Sequence, residues 1–149
     1  IMPLLIKDYP NIQLLIAGAT PTSSVKGLAN KNITVSGWID DIRDAYNDSK
    51  IFLAPLQIGT GLQNKLLEAM SMELPCITSK LANNALGAKR ESEILIGETP
   101  QEYVELIKRL INNEDLRNNL TKNAKLFVEQ NYNWNSISKF LIKDFFPSN

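Results

Sequence analysis

From Ile12 to Ile96, short apolar runs alternate with stretches whose apolar residues recur at helical spacing. The runs Ile12–Ala17, Ile33–Ser36, Ile51–Ala54, Cys76–Thr78 and Ile94–Ile96 are only a few residues long and mostly aliphatic, the pattern of buried strands. Helices are predicted between them, near Ser24–Ala29, Asp41–Ser49, Leu62–Met72 and Leu81–Ala88. Parallel strands need such crossovers, so the alternation predicts an α/β fold: a doubly wound parallel sheet with helices on both faces. After Ile96 the pattern changes to three amphipathic helices, Pro100–Asn112, Asp115–Asn131 and Asn135–Phe145. Thr99-Pro100 opens the first in good capping order, and Asn113-Glu114-Asp115 opens the second.

Ile1 to Asp8 reads as the tail of a helix, whereas a doubly wound sheet ordinarily starts with a strand feeding its first helix. The expectation is therefore a single domain over residues 1–149, cut from a longer polypeptide and lacking its first strand.

The candidate chemistry follows the strand at Ile51–Ala54. A loop holding Gly59 and Gly61 leads into a helix whose early turns carry Lys65 and Glu68. Glycines let backbone N–H groups approach a ligand, and a helix start adds unpaired donors with about half a positive charge. The pair suits a diphosphate. At about 100° per residue, Asn64, Lys65 and Glu68 share one flank, while Leu62, Leu66, Ala69 and Met70 cover the side expected to face the sheet. Lys65 is placed to add a cation where phosphate charge would sit. The two acceptor oxygens of Glu68 suit the vicinal hydroxyls of a ribose. An ordinary ion pair between helix neighbours also accounts for Lys65 and Glu68.

Composition narrows the function classes. Lys plus Arg and Asp plus Glu number 16 each, which argues against a nucleic-acid binder working through a broad basic field. No apolar run approaches the roughly 20 residues that span a bilayer and no charged leader precedes an apolar core, so a cytoplasmic protein is expected. Cys76 is the one cysteine and there is no histidine, so an intramolecular disulfide, a Cys/His zinc site and a His-based triad are excluded. Within its strand Cys76 reads as a small buried hydrophobe.

Gly59-Thr-Gly-Leu-Gln-Asn-Lys-Leu-Leu-Glu-Ala-Met70 followed by Leu74-Pro-Cys-Ile-Thr78 resembles the donor-site signature of the glycosyltransferase group 1 family (family 4), retaining enzymes of the GT-B architecture. Other segments fit in the same order: Tyr9–Gly18 and Ile33–Asp40 resemble successive strands of the family's C-terminal domain. Ala45–Pro55 and Asn131–Trp134 agree as well.

The resemblance implies a Rossmann-like C-terminal domain that binds a nucleotide-diphosphate sugar as donor substrate, with no cofactor and no metal. It implies that Glu68 holds the ribose, that the backbone at Gly59, Thr60, Gly61 and Leu62 meets the diphosphate or the sugar, and that Lys65 lies on the phosphate side. Gly18, Gly37, Trp38 and Ile39 would lie on the nucleobase side, although strand-end turns and a rim or core aromatic account for them equally. The expected partner is the N-terminal acceptor domain, absent here, which leaves no catalytic acid or base to assign and an isolated segment that is inactive. Phe140, Phe145 and Phe146 offer apolar surface for that domain, or pack within their own. Peripheral association of the full enzyme with the inner membrane face is a further implication.

In two places the sequence departs from the family. The family's first strand of this domain, whose following loop usually provides a basic pair for the diphosphate, is missing. The second departure is at Thr60. Thr60 stands eight positions before Glu68, where many members carry an acid. A GT-B nucleotide-sugar epimerase and a non-catalytic nucleotide-sugar-binding module are the alternatives.

Overall fold

In a computed structural model, the structure describes residues 1–59 and 61–133. The helix expected over Asn135–Phe145, with Phe140, Phe145 and Phe146, lies outside the described residues, as does Thr60. The chain divides into two compact units, Ile1–Lys50 and Ile51–Asn149.

The first unit begins with α1 (Met2–Asp8), which buries Leu5. Two parallel strands follow, β1 (Leu14–Ala17) and β2 (Ile33–Gly37), paired in the register Leu14↔Ile33 to Ala17↔Gly37 with a shift between Ile16 and Ala17. Burial alternates along both, with Leu14, Ile16, Ile33 and Val35 turned inward. β1 starts two residues later than its apolar run because the Ile12 N–H turns back to the Tyr9 carbonyl. Between the strands lies α2 (Ser23–Lys26), a single turn capped by the Thr22 hydroxyl. Gly27 ends it well before Ala29. After β2, α3 (Ile42–Asn47) buries Tyr46 and is capped by Asp41, whose carboxylate also accepts three hydrogen bonds from the Arg43 side chain. These bonds hold the Asp41 carboxyl well below its usual range, at about 2.

The second unit is built on β3 (Phe52–Ala54), β4 (Cys76–Thr78) and β5 (Leu95–Ile96), parallel in the order β3-β4-β5. The central β4 is buried throughout, as expected of a strand covered on both sides. Cys76 is among its buried residues, and burial pushes its thiol far above the ordinary range. Four helices follow in turn: α4 (Asn64–Ser71), α5 (Lys80–Leu86), α6 (Pro100–Asn112) and α7 (Glu114–Asn131). Leu66, Met70, Ile77, Ile94, Leu95, Leu110 and Leu120 form the fully buried centre, and α7 packs against both α4 and α6.

The expected parallel α/β class is present, with the strands hydrogen-bonded as two sheets, one in each unit. Within the second sheet a buried hydrogen bond joins two strand ends, where Thr78 Oγ1 donates to the Ala54 carbonyl at 2.9 Å. Ala54 also accepts from the Leu56 N–H. Thr78→Val keeps the shape and removes one donor, so a loss of about 1 kcal/mol is expected, read as a lower urea midpoint at unchanged slope.

Candidate functional site

β3 ends at Ala54 and the chain crosses nine residues, Pro55 to Gln63, before α4 begins. Gly59 has φ +152° and Gly61 φ +79°, backbone that L side chains rarely adopt. Gln63, at φ −98° and ψ 94°, is still extended, so helical geometry starts only at Asn64. Leu62 therefore lies before the helix and is 40% exposed, not turned to the sheet as its spacing suggested. Leu66, Ala69 and Met70 do form the buried face. Ile58, at the loop's outer edge, is 89% exposed.

Lys65 and Glu68 are both exposed. Lys65 makes no ion pair among the described residues, so the pairing of helix neighbours that its spacing allowed is not formed. The start of α4 is also open: no side-chain cap is present and its first turn holds no acid. Among the described residues, the N–H groups of Asn64 and Lys65 meet no acceptor. Unpaired donors and a lysine thus share one helix end, an arrangement that attracts an anion.

The helices that follow β4 and β5 differ. α5 is capped by the Ser79 hydroxyl, and the Lys80 N–H donates to the Glu98 carboxylate at 2.6 Å. α6 has a full capping box, in which Thr99 accepts from the Glu102 N–H while the Glu102 carboxylate accepts from the N–H groups of Glu98 and Thr99. Those two bonds draw the Glu102 carboxyl below its ordinary value. Among the described residues, of the three helices that leave the carboxyl ends of β3, β4 and β5, α4 alone lacks a side-chain cap. Glu98 had no local signal in the sequence, because its partner lies eighteen residues away.

The other candidates belong to the first unit. Gly18, at the end of β1, donates its N–H to the Gly37 carbonyl at 3.1 Å, and the space beside its α-carbon is open. Gly37 has φ +72°, which turns the chain out of β2. Trp38 is 73% exposed, with its indole Nε1 donating to Asp40 at 3.1 Å, so it is no core aromatic. Ile39 is half-buried.

In open parallel α/β sheets, ligands are received beside the carboxyl ends of the strands, and the uncapped start of α4 follows the carboxyl end of β3. More narrowly, a model of the group 1 glycosyl transferases matches residues 1–113, and the chain belongs to that family. Over 141 residues the chain is 28% identical to a capsular polysaccharide biosynthesis glycosyltransferase of Staphylococcus aureus, a match covering 85% of this chain and 35% of the relative. The C-terminal domain of a group 1 glycosyl transferase from Francisella tularensis superposes with a TM-score of 0.73 at 21% identity, covering 88% of this chain and 75% of that one. The HepE protein of Anabaena, solved with UDP and glucose, gives a TM-score of 0.79 at 14% identity, covering 99% of this chain and 44% of that one. These structures establish the Rossmann-like fold of a GT-B C-terminal domain. The chain spans between 22% and 42% of the length of the curated relatives it matches. No helix among the described residues is long and apolar enough to cross a membrane.

Proposed function

We propose that this chain is the donor-binding domain of a retaining, family 4 glycosyltransferase, which transfers a sugar from a nucleotide-diphosphate sugar to a glycan or lipid-linked acceptor. The observation that carries the reading is the open start of α4 beside Gly59 and Gly61, with Lys65 in its first turn and Glu68 one turn further on. Family membership supplies the transferase class, and the complex of HepE with UDP and glucose supports a nucleotide-sugar donor. Similarity to the capsular enzyme supports synthesis of surface polysaccharide or glycoconjugate, with the intact protein working in the cytoplasm or at the inner membrane face.

In this reading, negative charge that grows on the departing nucleoside diphosphate is stabilised by the N–H groups of α4 and by the Lys65 ammonium, which lowers the barrier to cleavage of the sugar–phosphate bond. The backbone of Gly59, Thr60, Gly61 and Leu62 takes the diphosphate or sugar, and Glu68 the ribose hydroxyls. Gly18, Gly37, Trp38 and Ile39 are proposed for the nucleobase side. The acceptor hydroxyl and the group that deprotonates it belong to the N-terminal domain of the intact enzyme. Incubating the intact protein with UDP-, GDP- and ADP-sugars and a glycan or lipid-linked acceptor tests the reading. Transferred sugar is the expected product. Epimerised sugar, or bound sugar with no turnover, would replace transfer with epimerisation or simple binding.

A further inference from the structure

We infer that Gln63 is a positioning residue of the donor site, holding its carboxamide against the glycine loop instead of capping α4 and so keeping the helix start open for the diphosphate. The inference rests on the donor-site reading above and adds a residue to it.

Gln63 occupies the position from which a side chain caps a helix, yet it makes no capping hydrogen bond. Its side chain turns the other way. Nε2 donates to the Gly61 carbonyl at 3.4 Å and lies 3.3 Å from where a β-carbon on Gly59 would stand. One amide therefore lies against both glycines, and Gln63 is half-buried while Gly61, Leu62, Asn64 and Lys65 around it are exposed. Its backbone carbonyl accepts from the Leu66 N–H at 2.9 Å, which leaves Asn64 and Lys65 as the donors without an acceptor among the described residues.

The residue type explains the division of labour. Ser, Thr, Asp or Asn at this position would place an oxygen on the second or third N–H of the helix, as Thr22, Asp41, Ser79, Thr99 and Asn113 do for theirs. The Gln63 side chain is one methylene too long to fold neatly onto its own helix and reaches the loop instead. A short capping residue would stabilise α4 and, where its oxygen takes the Lys65 N–H as Asp41 takes that of Arg43, compete with a phosphate oxygen for that donor.

Opposite effects on stability and binding distinguish this role from a purely structural one. Gln63→Ser in the full chain is expected to raise Tm by about 2 to 4 °C and to weaken UDP and inorganic pyrophosphate, titrated calorimetrically, by roughly fivefold. Gln63→Ala loses the brace and supplies no cap, so binding of both probes should fall with no gain in Tm. The inference is overturned if both variants bind UDP as tightly as the parent while Lys65→Ala binds more weakly; the donor site then stands without Gln63. If Lys65→Ala also binds unchanged, the donor-site reading falls, and the role of Gln63 falls with it.

Discussion

Asn32→Asp is expected to destabilise the first unit by about 3 to 5 kcal/mol at pH 7, although it replaces a single NH₂ by oxygen. Asn32 is 2% exposed and sits immediately before β2. Its Nδ2 donates to the carbonyls of Pro10 at 2.9 Å and Ile12 at 2.8 Å, while its own carbonyl accepts from the Leu14 N–H. One side chain thus fixes the turn before β1 to the start of β2, across twenty residues. Aspartate has the same outline but nothing to donate, so two buried carbonyls would face a desolvated carboxylate.

Burial beside two acceptors favours the protonated acid, so the introduced group would have a folded-state pKa above its unfolded value of about 3.9. A raised folded pKa means that the folded state binds the extra proton. The penalty is then smallest below the unfolded pKa and grows as pH rises through the folded one. Urea midpoints of the two proteins should therefore differ most at pH 7 and converge toward pH 4. Equal midpoints at pH 7 would show that Asn32 does not carry the turn.

Such a residue is hard to find in a sequence. Asn30-Lys31-Asn32 reads as loop punctuation before a strand, and the acceptors of Asn32 precede it by twenty or more residues. Features decided within three or four residues were legible: the caps at Thr99 and Asn113, the aliphatic strands, Leu66, Ala69 and Met70 on the buried face of α4, the amphipathic α6, and the buried Cys76. The start of α4 was misplaced by two residues, because periodicity assigns Leu62 to the apolar face while the left-handed φ of Gly61 delays the helix. Division of the strands into two hydrogen-bonded sheets was likewise invisible, since a run of apolar residues reports its own burial but not its neighbour. For the candidate site, residue types and spacing gave Gly59, Gly61, Lys65 and Glu68. The open helix start they surround depends on a cap that is not made, and no residue type announces that.

Lys65 and Glu68 are expected to fail in different ways, and the difference assigns each its part of the ligand. At 1.5 Å per residue, Glu68 stands about 4.5 Å further along the helix axis than Lys65, on a neighbouring row of the same exposed flank. The first belongs to the end where unpaired N–H groups gather, and the second lies beyond their reach. Removing a charge-assisted contact costs about 1.5 to 3 kcal/mol, so Lys65→Ala should weaken UDP and inorganic pyrophosphate alike, by roughly 10- to 100-fold. That loss should shrink in high salt, where the parent's own attraction for phosphate is screened. Glu68→Gln should weaken UDP by about tenfold, because the ribose hydroxyls lose a charged acceptor, and should leave pyrophosphate, which has no ribose, bound at least as well. Both variants should keep the parent's Tm to within about 2 °C, since each changes an exposed side chain. Equal losses of UDP and pyrophosphate in Glu68→Gln would place its carboxylate on the phosphates and reverse the assignment, while unchanged affinity in both variants would remove the site from α4.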